Sequence, residues 1–127
     1  MLYDTLNDLK KMSLDFYLEM DLDTGAGELY NVELYSANIT HNLNKMAMEA
    51  GIYKCLWRPN ELWENPTADK LIPILEEGLE NLKSNPKHFK KFDASNGWGT
   101  YKDFVPFVEG VLNACKEHPK SKVRTWI

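Results

Sequence analysis

Between Leu14 and Asp23 the chain alternates without a break, with Leu14, Phe16, Leu18, Met20 and Leu22 set against Asp15, Tyr17, Glu19, Asp21 and Asp23. A period of two puts each set on its own side of an extended backbone, so the segment predicts a strand with one buried and one wet face. Asp23-Thr24-Gly25-Ala26-Gly27 follows. Its glycines take positive φ at little cost, so the strand turns back on itself, and a second strand is expected from about Glu28 to Ala37. Asp21-x-Asp23-x-Gly25 has a faint look of a calcium loop, but it lacks the further ligands and the distal Glu of an EF-hand; a hairpin turn explains it.

From Thr40 the period changes. Leu43, Met46, Ala47 and Ala50 recur at i, i+3, i+4 and i+7, the stripe of a helix that stops at Gly51, with Asn38 or Thr40 as its cap. Ile52 to Pro59 is mostly apolar and ends at proline; Asn60 to Pro66 reads as loop around Trp63. A second helix opens at Thr67 or Asp69, turns Leu71, Ile72, Leu75, Leu79 and Leu82 inward and closes at Ser84-Asn85-Pro86, before a short turn through His88, Phe89 and Phe92. After the loop 93–99, Thr100-x-x-Asp103 reads as a capping box. The helix it opens buries Phe104, Val105, Phe107, Val108, Val111, Leu112 and Cys115, and Lys122 to Ile127 is a candidate third strand with Val123, Thr125 and Ile127 on one face.

The expected fold class is α+β: an antiparallel hairpin, with that C-terminal segment as a third strand, packed on one face by about three helices. Residues 12–127 form a single domain. Residues 1–11 carry Leu2, Tyr3, Leu6 and Leu9 at helical spacing and are read as an extension or a short docking helix. The two long helices also echo one another. Pro73 to Lys87 aligns with Pro106 to Lys120 across a one-residue gap, prolines early in both, as similar packing demands would produce without a duplication.

A formal charge of -4 argues against a protein that grips nucleic acid through its phosphates. The charge is unevenly spread: seven acids precede Tyr30 against Lys10 and Lys11, whereas nine bases from Lys83 onward face Asp93, Asp103, Glu109 and Glu117. Solvated faces of opposite sign explain this without a function. Cys55 and Cys115 are far apart and in no Cys-x-x-Cys arrangement, which points to free thiols in a reducing compartment. No apolar run approaches the ~20 residues of a membrane span, and the acidic start lacks signal-peptide character, so no membrane association and a cytoplasmic location are expected.

Polar and aromatic side chains without an evident core role mark the candidate site. Asn38, Thr40, His41 and Asn42 cluster where strand gives way to helix. Asn96, Trp98 and Tyr101 stand among glycines that let a ligand approach the backbone, and the rings can stack on a flat molecule. Trp57 and Arg58 add an indole and a guanidinium suited to phosphate or carboxylate. Each residue also has a structural explanation: Asn38 and Thr40 as caps, His41 bonded to a neighbouring carbonyl, Trp98 plugging the core.

Ser13 to Glu19, Tyr35 to Ala47, Ala50-Gly-Ile-Tyr53, Leu56-Trp-Arg-Pro59 and Asn96 to Val105 resemble a family of small uncharacterised proteins of bacterial, prophage and phage genomes. The likeness spans roughly Met12 to Lys122. It implies a genomic setting rather than an activity, and it makes Met12 the usual family start, with residues 1–11 an extension.

The leading functional expectation is non-catalytic binding of a small anionic, nucleotide-like ligand, with sequestration of a host defence signal as the use the phage resemblance implies. The first alternative is a protein–protein inhibitor or adaptor that offers an acidic hairpin face (Asp15, Glu19, Asp21, Asp23), or an exposed Trp63, to a basic partner. The second is a small hydrolase or transferase with His41 as general base. No nucleotide-binding loop, nucleophile elbow or His-Glu-x-x-His is present. His41, His88 and His118 are too scattered for a metal, no cofactor is expected, and an unpaired edge strand leaves homo-oligomerisation open.

Overall fold

The computed structural model describes residues 13–127; the expected N-terminal helix or extension over 1–11 lies outside the described residues. Two long strands, β1 (Ser13–Asp23) and β2 (Leu29–Thr40), form the hairpin, with Ser13 opposite Thr40 and Asp23 opposite Leu29. β3 (Lys122–Trp126) pairs antiparallel with the other edge of β1, so the sheet order is β2-β1-β3. The architecture is α+β, as the periodicities predict.

The alternation in β1 does its expected work only in part. Leu14, Phe16 and Leu18 are fully buried against the helical layer, while Met20 and Leu22, next on the same side, are 39% and 46% exposed. Between Leu18 and Glu19 the register slips: Leu18 pairs with Tyr35 and Glu19 with Glu33, leaving Leu34 as a bulge. β3 also ends there, with Lys122 opposite Glu19. The expected five-residue buried face is therefore three residues long. An alternating pattern says which residues share a side, but only the elements packed over that side decide whether it is buried.

β2 runs three residues past its predicted end. The chain then makes a short 3-10 turn, His41–Leu43, before helix α1 (Asn44–Glu49), so helix does not begin at Thr40. Thr40 is the cap, its hydroxyl accepting from the Asn42 N–H at 3.4 Å, whereas Asn38 lies within β2 and donates to Asp15 Oδ1 at 2.6 Å. Gly51, at φ +79°, ends the segment as predicted.

Ile52 to Leu62 is more ordered than an apolar run and a loop. It forms α2 (Tyr53–Trp57) and α3 (Pro59–Leu62), with Pro59 at the start of α3, where its missing N–H costs nothing. The long helices α4 (Ala68–Ser84) and α6 (Tyr101–Glu117) pack on each other; α5 (Pro86–Phe89) and a 3-10 turn, Lys90–Phe92, link them. The cover thus comprises two long and four short helices rather than about three. Pro73 and Pro106 sit inside their helices rather than in the first turn. The echoing glycines have a packing reason: a Cβ at Gly78 would lie 2.2 Å from Ile52 Cγ2, and one at Gly110 would lie 2.8 Å from the Tyr35 hydroxyl.

Candidate functional site

The strand-to-helix junction touches both of the other singled-out stretches, the loop before α6 through Asn42 and helix α2 through His41. The loop before α6 is folded on itself: Asn96 Oδ1 accepts from the Trp98 N–H at 2.9 Å, and the Ala94 N–H donates to the Gly99 carbonyl at 2.9 Å. Gly99, at φ +108°, is buried beneath the strand-to-helix junction. A Cβ there would stand 3.0 Å from Thr40 Cγ2, 3.2 Å from Asn42 Cβ and 3.3 Å from Leu43 Cγ. Asn42 fastens the joint by donating from Nδ2 to the Trp98 carbonyl at 2.9 Å. Only glycine combines that backbone angle with so close an approach.

The capping box is replaced by a longer-range cap. The Thr100 hydroxyl donates to Asp103 Oδ2 at 3.1 Å, and it is Asp93 Oδ1, eight residues upstream, that accepts from the Tyr101 N–H, at 2.6 Å. The Tyr101 hydroxyl donates to the Leu82 carbonyl at 2.8 Å, which commits its polar end to structure. The Trp98 ring is 66% exposed, so it does not plug the core.

His41 and Trp57 form a second unit. Trp57 is buried, stacks on Tyr53 with ring centroids 5.4 Å apart, and donates from Nε1 to His41 Nδ1 at 3.2 Å. An indole nitrogen can only donate, so Nδ1 carries the ring's lone pair and the neutral tautomer has its proton on Nε2. The other polar contact of the ring is the Asn44 amide, 3.4 Å from Nε2. Arg58 turns elsewhere: it is exposed, lies 3.9 Å from Glu61, and borders a separate cavity of about 250 Å³ with Thr125 and Ile127.

A cavity of about 600 Å³ opens beside the joint, lined by Asn42, Asn44, Lys45, Lys91, Ser95 and Asn96, with Phe92 on its wall. Residues bearing amide, hydroxyl and ammonium groups therefore border one space. Asp93 is the one carboxylate in the lining, and it already accepts from the Tyr101 backbone. Sequence reasoning finds Asn42 and Asn96 here and misses Asn44, Lys45, Lys91 and Ser95. Asn44-Lys45 directly follows the junction and Lys90-Lys91 directly precedes the loop, a proximity that could have flagged them.

A larger cavity, about 810 Å³ and mainly apolar, lies between α1–α2 and α4, bordered by Met48, Tyr53, Leu62, Ile74 and Gly78. It contains none of the nine residues singled out from the sequence. Cys55, at its edge, donates to the Ile52 carbonyl at 3.3 Å, and burial pushes both Cys55 and Cys115 up to about 12, so the two free thiols stay protonated and unreactive at neutral pH. Among the described residues no group of three or more His, Cys, Asp or Glu side chains could hold a metal, and no helix is long and apolar enough to cross a membrane. Comparison of the chain with family models, with curated proteins and with solved structures finds no match in any of the three.

Proposed function

We propose that the protein binds a small anionic, nucleotide-like ligand at the joint between the strand-to-helix junction and the loop before α6, and releases it unchanged. The observation that carries this reading is the composition of the 600 Å³ cavity: Lys45 and Lys91 beside the amides of Asn42, Asn44 and Asn96. Its volume is that of a small-molecule site, and ammonium and amide donors suit phosphate oxygens better than an apolar or cationic ligand. Phe92 in the wall and the exposed Trp98 in the adjoining loop offer faces for a flat ring. Support for binding without chemistry by His41 is that its Nδ1 lone pair is taken up by the Trp57 indole and its other polar neighbour is an amide. Given the phage and prophage resemblance, a stoichiometric binder of this kind would sequester a host signal nucleotide.

The test is a thermal-shift titration with linear and cyclic nucleotides and ADP-ribose derivatives, followed by recovery of the ligand. A true ligand at a hundred times its Kd adds about 2.7 kcal/mol of stability to the parent. Lys45→Ala and Lys91→Ala should each weaken binding about tenfold, one charge-assisted contact apiece. Full binding by both variants, or no stabilisation by any member of the panel, would refute the site; recovery of an altered ligand would make the protein an enzyme.

A further inference from the structure

Four of the most exposed large apolar side chains belong to one structure, the distal half of the hairpin: Met20 (39%), Leu22 (46%), Leu29 (67%) and Tyr30 (56%). Leu22 pairs with Tyr30 and Met20 with Val32, so Met20, Leu22, Tyr30 and Val32 stand on one side, continuing the row that nearer the core is Leu14, Phe16 and Leu18, whereas Leu29, opposite Asp23, faces the other way. Past the bulge at Leu34 no described element covers that row. The backbone is equally unspent: β3 does not extend beyond Glu19, and among the described residues the outer edge of β2 has no strand neighbour.

The charge around this arm has one sign. Asp21, Asp23, Glu28 and Glu33 surround it; Asp21 pairs with Lys122, and Glu33 lies within electrostatic reach of Arg124, beyond Glu19. Two copies meeting arm to arm would bring these carboxylates together, which disfavours a symmetric dimer through this surface.

We propose that the distal hairpin is a docking arm for a basic, extended segment of another protein. That segment adds as a fourth strand along the outer edge of β2, sets its apolar side chains on Tyr30 and Val32, with Leu22 and Met20 behind them on β1, and pairs its Lys or Arg side chains with Glu28 and Glu33, with Asp23 one strand further in. Strand addition supplies affinity through backbone hydrogen bonds, and alternate side chains supply selectivity. This surface is distinct from the anion cavity and does not depend on it.

The experiment uses the full chain and a synthetic peptide of about nine residues, one strand length, alternating Lys with Val. Controls carry Glu for Lys or Ser for Val. Binding is followed by fluorescence anisotropy at low and high salt, and amide hydrogen exchange locates it. The Lys–Val peptide should bind, weaken as salt screens the charges, and slow exchange of β2 outer-edge amides between Leu29 and Ala37. Tyr30→Ser, beside the added strand, should weaken binding about tenfold, and Leu22→Ser, one strand further in, by less, both with the melting temperature unchanged. Equal binding of the Glu–Val peptide, indifference to both substitutions, or a dimer of the chain alone that Leu22→Ser dissolves would overturn the proposal.

Discussion

The joint and the hairpin arm are both surface features, and they are built in opposite ways. At the joint nearly every polar group of the singled-out stretches is already spoken for: Asn42 by the Trp98 carbonyl, His41 by Trp57, Asn96 by the Trp98 N–H, Tyr101 by Leu82 and Asp93. What it leaves over is a polar hollow with two lysines. The arm past the bulge is tied by its own ladder and by the Asn31–Asp21 bond, and leaves over apolar side chains, free strand edges and carboxylates. A dense patch of motif-like residues can thus be mainly scaffold, with the exposed chemistry supplied by plain neighbours. A regular strand pattern can outrun the core that it seems made for.

Substitutions can break this contrast. The largest effect is expected at the joint, from Gly99→Ala. A side chain at φ +108° costs about 1–3 kcal/mol of backbone strain, and contact with Thr40, Asn42 and Leu43 adds a similar amount, giving about 2–6 kcal/mol in urea denaturation. Asn42→Ala should cost about 1 kcal/mol through the lost bond to Trp98, whereas Leu22→Ala in the arm should stay within about 0.5 kcal/mol. A Leu22→Ala loss as large as that of a core leucine, about 2–5 kcal/mol, would show the arm to be covered after all.

The smallest effect is electrostatic. The Lys122 ammonium, helped by the Asn31 amide, holds the Asp21 carboxyl below its ordinary value of 3.8. Folding therefore favours the ionised form. The resulting stability is present above pH 3.8 and is lost as the pH falls through the lower folded-state value. Parent and Asp21→Asn should accordingly differ slightly at neutral pH and converge under acid. Because Asp21 lies at the exposed surface of the arm, a large difference would contradict an open arm.

Much of this was legible in the sequence, and the gaps have physical causes. Period-two alternation located β1, and i, i+3, i+4 spacing located α4 and α6, because those patterns record which side of an element is buried. Val123, alternating with polar neighbours, marked β3. The extent of cover over Met20 and Leu22 was not legible, since it depends on where the helical layer ends. The placing of Trp57 inside the core, with His41 as its acceptor, required knowing that α2 folds under the junction. Nothing in the sequence separates Lys45 and Lys91 from other lysines; only the closure of the joint brings both to the border of one hollow.

The most direct test of an anion site at the joint is an amide NMR titration of the full chain with ADP-ribose and with linear and cyclic nucleotides. Saturable shifts confined to Asn42–Lys45 and Lys91–Tyr101, with Met20–Val32 unmoved, are the expected result. Shifts centred on the hairpin, or none with any member of the panel, would contradict it.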